Sequence, residues 1–461
     1  MKLKKLAAIA ISASLALVGC SSEQEIPQVT SATQDGQEAQ ANPEGTQTPE
    51  AAQITYDLFE ETVDDSMCKL IEDSSQRRDF YDAYAVSFPA NPTLIEPVGT
   101  VNVSVIPVDW EDAAGDLEPS AYISDQLNTL TTFYSVVSDR NLSINIDLHD
   151  KWVRLDGASA DYYITEEEES DFRAPAVKKR TKLFSAAVTE SDPEVDFSNA
   201  DIVLLILPAH ADVIEVGALS FATARQSAIR LTADGNTMVN LIAGGNRWDK
   251  RPQTNLWSFW AHEMSHMLGL PDMVLHGNIQ GLEMWQNNPF SGYDIMAQQD
   301  GPLRTINSWT RWVNGWISDD SVLCAPVGDM DSSVFAIAPL NESGAAEARS
   351  IVIKLSDDEV LVIENRTRDS RFDTPVGGEW YGVVSYVVSR KLGHGEAPMK
   401  LVTHLDGEKN MQYLDDATNL NTRLLYGTLT EGDSSEYYDL RIEALRIEDG
   451  LAFVQVSSSE G

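Results

Sequence analysis

The chain has 461 residues, enough for a large core and two or three domains. Its 72 acidic and 33 basic residues give a net charge of −39, which argues against nucleic acid as a partner because phosphates are repelled. The hydrophobic share of 43% is ordinary for a globular protein, so the acidity belongs to a folded surface and suits saline or calcium-containing surroundings.

Residues 1–20 (MKLKKLAAIAISASLALVGC) read as a signal peptide, with a basic start, a short apolar run and small residues. The run is too short for a stable membrane span. Its end, Leu17-Val18-Gly19-Cys20, resembles a bacterial lipobox, which implies lipid on Cys20 and a membrane anchor; an ordinary signal peptide cut nearby is the alternative. By resemblance to lipoproteins of two-membrane bacteria, Ser21 in place of Asp implies an exported protein at the outer membrane or cell surface. Residues 21–54 are polar and Pro-containing, a disordered tether. Residues 55–95 are either a short preface or a pro-segment.

Residues 101–110 (VNVSVIPVDW) alternate and predict a strand. Residues 120–138 have helical spacing, 142–155 read as one or two strands, and 176–190 as a helix. The nearly continuous apolar run at 201–208 (DIVLLILP) predicts a central strand, and 237–243 a short one that can serve as an edge for an extended substrate. The order predicts an α/β (α+β) domain with a twisted, mostly parallel sheet.

The most informative stretch is 252–272, PQTNLWSFWAHEMSHMLGLPD. Thr254 or Asn255 can cap a helix there, and apolar residues on several sides predict that it is buried. His262 and His266, four apart, share one face and can hold one ion. Glu263 is placed to take a proton from a metal-bound water. Gly269 can end the helix in a left-handed turn and Pro271 blocks continuation, so Asp272 can return as third ligand, ahead of His276 and Glu283. Two imidazoles and a carboxylate leave a fourth tetrahedral position open, the pattern of a catalytic Zn2+. Tyr293 is a candidate oxyanion donor or else a core aromatic.

HExxHxxGxxD followed by Ser291-Gly292-Tyr293-Asp294-Ile295-Met296 resembles the immune inhibitor A family of secreted bacterial metallopeptidases. Those are metzincin-like enzymes with Asp where most metzincins have His. The resemblance implies a zincin fold over about 101–387, Met296 as the Met-turn methionine below the metal, and 308–317 (SWTRWVNGWI) as the helix after that turn. Glu364-Asn365-Arg366 with Phe372-Asp373 resembles the family's following segment, implying a packing role.

With Cys20 acylated, Cys68 and Cys324 remain, and one disulfide between them is expected in an exported chain. The competing reading is a Cys68 thiolate that caps the zinc as a latency switch. Acidic clusters at Asp109-Trp110-Glu111-Asp112, at Glu166 to Glu169 and at Asp329-Met330-Asp331 are candidates for structural Ca2+, against the plainer reading of solvated surface charge. From about residue 333 short alternating segments recur at 333–338, 350–355, 359–364, 381–388, 437–444 and 451–457, predicting an antiparallel β-sandwich-like domain.

The expected organisation is a leader (1–20), tether (21–54), preface (55–95), catalytic domain (96–330) and C-terminal β domain (331–461). The expected function is zinc-dependent hydrolysis of extracellular or periplasmic proteins and peptides. A surface-anchored adhesion or binding protein on a zincin scaffold, or a zinc hydrolase of a non-peptide amide, are the alternatives.

Overall fold

The computed structural model describes residues 66–70, 95–163, 174–209, 211, 219–221, 229–244, 255–275, 290, 292–299, 305–330, 332–367, 372, 381–403, 405 and 427–458. Cys20, the tether, Glu166 to Glu169, His276, Glu283 and Asp331 lie outside them. The helices are α1 (Ser66–Lys69), α2 (Pro119–Val137), α3 (Ala174–Ser191), α4 (Leu256–Met267) and α5 (Ser308–Val313). Among the described residues, no helix is long and apolar enough to cross a membrane.

The first sheet is built from β1 (Gly99–Asp109), β2 (Leu142–Leu148), β3 (Val153–Arg154), β4 (Ile202–Ile206), β5 (Leu219–Phe221) and β8 (Leu241–Gly244), the hairpin β6 (Leu231–Ala233) and β7 (Asn236–Met238) standing apart. Its order is β2-β1-β4-β8-β5, with β3 also on β1. Every pairing is parallel except β5 against β8. All five residues of β4 are buried because alternate side chains enter two cores. Ile202, Leu204 and Ile206 face α2 and α4, whereas Val203 and Leu205 share a core with Leu183, Phe184 and Ala187 of α3.

The single strand expected at 237–243 is two. Asp234 and Gly235 take positive φ and close the β6–β7 hairpin, which uses residues 236–238. Residues 241–244 then enter the sheet as β8, between β4 and β5, so among the described residues the outermost strand on that side is β5.

The rest of the chain forms two further sheets from β9 (Val322–Pro326), β10 (Ser333–Ile337), β11 (Ser350–Lys354), β12 (Glu359–Arg366), β13 (Gly382–Ser389), β14 (Met399–Leu401), β15 (Thr428–Leu429), β16 (Ser434–Tyr437), β17 (Leu440–Glu448) and β18 (Leu451–Ser458). One has the order β14-β13-β12-β11-β9 with β15 on β13, the other β10-β18-β17-β16. All these pairings are antiparallel except β9 on β11, which is parallel. The run expected at 437–444 breaks at Tyr438, whose positive φ turns β16 into β17.

Ile351, Ile353, Leu361 and Ile363 pack against Ile442, Val454 and Val456 of the four-stranded sheet. Their neighbours Val352, Val360, Val362, Val384 and Tyr386 point the other way, into the core that also holds α4 and α5. The β12–β13 layer is therefore buried on both faces, and the described residues within Thr55–Gly461 belong to one compact unit. Cys68 of α1 and Cys324 of β9 are disulfide-bonded, closing a separation of 256 residues. That overturns the latency-switch reading, since the Cys68 sulfur is already bonded and has no thiolate to offer.

Candidate metal centre

Helix α4 is seated before any ligand is considered. Trp257, Phe259, Trp260, Ala261 and Met264 are buried on its several sides, and each fully buried large side chain contributes about 1.5–3 kcal/mol. Asn255 sits at the N-cap in extended conformation but makes no side-chain cap; the Trp257 N–H donates instead to Gln126 Oε1 of α2, at 3.2 Å. The Tyr134 hydroxyl, also from α2, donates to the Ala261 carbonyl at 2.7 Å and lies 3.0 Å from Ser265 Oγ. Burial pushes the Tyr134 pKa up, which keeps it a neutral donor.

The helix ends as the sequence predicts. Gly269 has φ +96°, its N–H donates to the His266 carbonyl at 3.0 Å, and Leu270 N–H donates to the Ser265 carbonyl at 2.9 Å. This pair of bonds is the Schellman arrangement. The same turn then serves the site, because the Leu270 carbonyl lies 2.8 Å from His266 Nδ1. His262 Nδ1 is matched in the same way by the Ile295 carbonyl, at 2.8 Å. With both Nδ1 atoms donating to carbonyls, it is Nε2 that carries the lone pair for a metal whenever either ring is neutral.

Asp272 returns to meet them. Its Oδ1 lies 3.1 Å from His262 Nε2 and 3.4 Å from His266 Nε2. Two ligand atoms on one tetrahedral zinc, each bonded at about 2.0–2.1 Å, stand roughly 3.3 Å apart, close to these two separations. The three ligand atoms lie within 4.8 Å of one another, and among the described residues this is the only such group of three or more. Burial pushes the His262 pKa down, but the hydrogen bond and charge of Asp272, with the charge of Glu263 and the Ile295 carbonyl, outweigh it and raise it to about 9. A metal entering the site must displace that proton.

The turn carrying Met296 is fixed by a carboxylate to which the sequence reading gave no role. Asp294 is fully buried; Oδ1 accepts from Met296 N–H at 2.8 Å, and Oδ2 from Asn307 N–H at 2.7 Å and Asn307 Nδ2 at 2.8 Å. Burial raises the Asp294 pKa to about 6, against the opposing pull of these bonds and of Arg366. Met296 is itself fully buried, and its carbonyl accepts from Met273 N–H at 3.1 Å, tying this turn to the segment just after Asp272.

Glu364 and Arg366 of β12 form a fully buried ion pair, with Arg366 Nε 2.6 Å from Glu364 Oε1. Glu364 Oε2 accepts from Ser308 N–H at 2.7 Å, and Arg366 Nη2 donates to the Tyr293 carbonyl at 3.2 Å. The segment 364–366 thus packs against the Met296 turn and the start of α5. Tyr293 is fully buried, with its hydroxyl 2.8 Å from Thr428 Oγ1, in the setting of a core aromatic.

The sequence reading missed His394, which lies between β13 and β14. Asp272 N–H donates to His394 Nδ1 at 3.0 Å, and His394 Nε2 lies 3.7 Å from Asp272 Oδ2. Nothing marked it beforehand except that it is one of seven histidines and stands between Gly393 and Gly395.

Of the calcium candidates, Asp109 is paired with Arg154 at 2.6 Å and accepts from Gly115 N–H, and Asp112 accepts from the Ser159 N–H at 2.9 Å, so both serve protein partners. No family model matches the chain, and no curated protein matches it.

Proposed function

We propose that the protein is a zinc-dependent endopeptidase with a metzincin-like catalytic half, in which His262, His266 and Asp272 hold the metal. One observation carries the reading: a single carboxylate oxygen stands 3.1 Å and 3.4 Å from two imidazole nitrogens whose opposite nitrogens are already engaged by carbonyls. Bound zinc would supply Lewis acidity, bringing a water's pKa to about 7 and polarising the scissile carbonyl. Glu263, beside His262 on α4, accepts the proton of the attacking water and returns it to the leaving nitrogen. Met296 lines an apolar floor that restrains the ligands, and Tyr293 takes no chemical step. The outermost strand β5, antiparallel to β8, is the edge that an extended substrate would join.

The Cys68–Cys324 disulfide fits an oxidising compartment and supports the reading of an exported protein, anchored through lipid on Cys20.

A gelatin zymogram with and without a zinc chelator tests the activity, run beside Glu263→Ala. The wild type clears gelatin and the chelator abolishes clearing. The variant keeps its zinc and loses roughly 10²–10⁴-fold in rate. Zinc uptake without hydrolysis by the wild type would favour a binding protein on this scaffold, or a hydrolase of non-peptide amides.

A further inference from the structure

His394 and its loop hold Asp272 from two sides. The Asp272 N–H donates to His394 Nδ1 at 3.0 Å, and the Asp272 carbonyl accepts from Gly395 N–H at 3.2 Å. A bridge between Leu275 and Glu396 continues the contact, and Glu396 Oε2 accepts from Gly393 N–H at 3.1 Å, closing the loop on itself. His394 is buried, with its ring 5.3 Å from that of His266, nearly perpendicular.

This geometry decides what His394 can do. A ring nitrogen that accepts from a backbone N–H carries a lone pair, so in the neutral ring the proton sits on Nε2. His394 Nε2 is therefore a donor and not a metal ligand. It faces Asp272 Oδ2 at 3.7 Å, too long for a hydrogen bond but close enough for its N–H dipole to act on that oxygen. Oδ1 is meanwhile the oxygen turned to His262 and His266.

We propose that His394 is a positioning residue for the third ligand. It fixes the Asp272 peptide through Nδ1 and draws Oδ2 away through Nε2–H, so that the carboxylate offers the metal one oxygen and leaves a coordination position for water. The C-terminal sheet, through its β13–β14 connection, thereby completes the metal centre. This rests on the zinc reading above.

The experiment uses the full chain, stripped of metal, as wild type, His394→Ala and His394→Asn. Zinc affinity is read by competition with a chromophoric chelator, coordination by the visible spectrum of the cobalt(II) form, and folding by the melting temperature of the metal-free protein. Asn keeps an acceptor near the Nδ1 position but has nothing at Nε2. His394→Ala loses about 10–100-fold in zinc affinity. His394→Asn regains part of that loss, yet its cobalt spectrum weakens, as a second carboxylate oxygen raises the coordination number. A folded His394→Ala with wild-type affinity, or a His394→Asn cobalt spectrum identical to wild type, overturns the proposal. A wild type that binds neither metal refutes the zinc reading itself, a separate result.

Discussion

His266 and Asp272 sit six residues apart in the chain yet are held by opposite means. His266 is oriented by a carbonyl four residues away, in the turn that ends its own helix. Asp272 is held by His394, 122 residues away, in the connection between β13 and β14. His262 stands between these cases, its partner Ile295 being 33 residues on. Local support comes with the helix, because the Schellman turn frees the Leu270 carbonyl as it closes. Distant support requires the β13–β14 connection to pack against the segment after α4, so the helix and its turn cannot supply it alone.

The largest expected effect comes from breaking the distant side. Arg366→Met leaves Glu364 buried without its cation and removes the donor to the Tyr293 carbonyl. A loss of about 3–5 kcal/mol in denaturant-induced unfolding is expected, with weaker zinc binding through the loosened Met296 turn. A loss below about 1 kcal/mol would mean that the ion pair does not brace the site.

A smaller effect is expected on the local side. Gly269→Ala forces a side chain into a left-handed residue at φ +96° and should cost about 1–2 kcal/mol in thermal unfolding. Zinc affinity should fall with it, because the Leu270 carbonyl that orients His266 lies in the same turn. Unchanged affinity in a destabilised variant would separate the cap from the site.

The same contrast explains what the sequence made legible. The helix, its glycine stop and the return of Asp272 lie within one short stretch, where spacing and turn chemistry act directly on neighbours. The continuous apolar run at β4 foretold a strand buried on both faces, and the structure places it centrally. The strand expected at 237–243 failed because the Asp234-Gly235 turn lies just ahead of it and spends 236–238 on a hairpin. The parallel pairing of β9 with β11 and the approach of His394 are choices among distant partners, set by the packing of whole sheets. No periodicity in 392–396 (LGHGE) announces that its histidine meets an aspartate far upstream.

The most direct measurement is a calorimetric titration of metal-free protein with zinc, repeated in buffers of different ionisation enthalpy. Asp272 raises His262 to about 9, so at pH 7 to 8 the ring is protonated before zinc arrives and must give that proton up. Apparent affinity should therefore climb as pH rises and level off above about 9. One zinc per chain is expected, with close to one proton released from His262 at pH 7.5. A wild-type protein that takes up no zinc, or takes it up equally after Asp272→Ala, would contradict this.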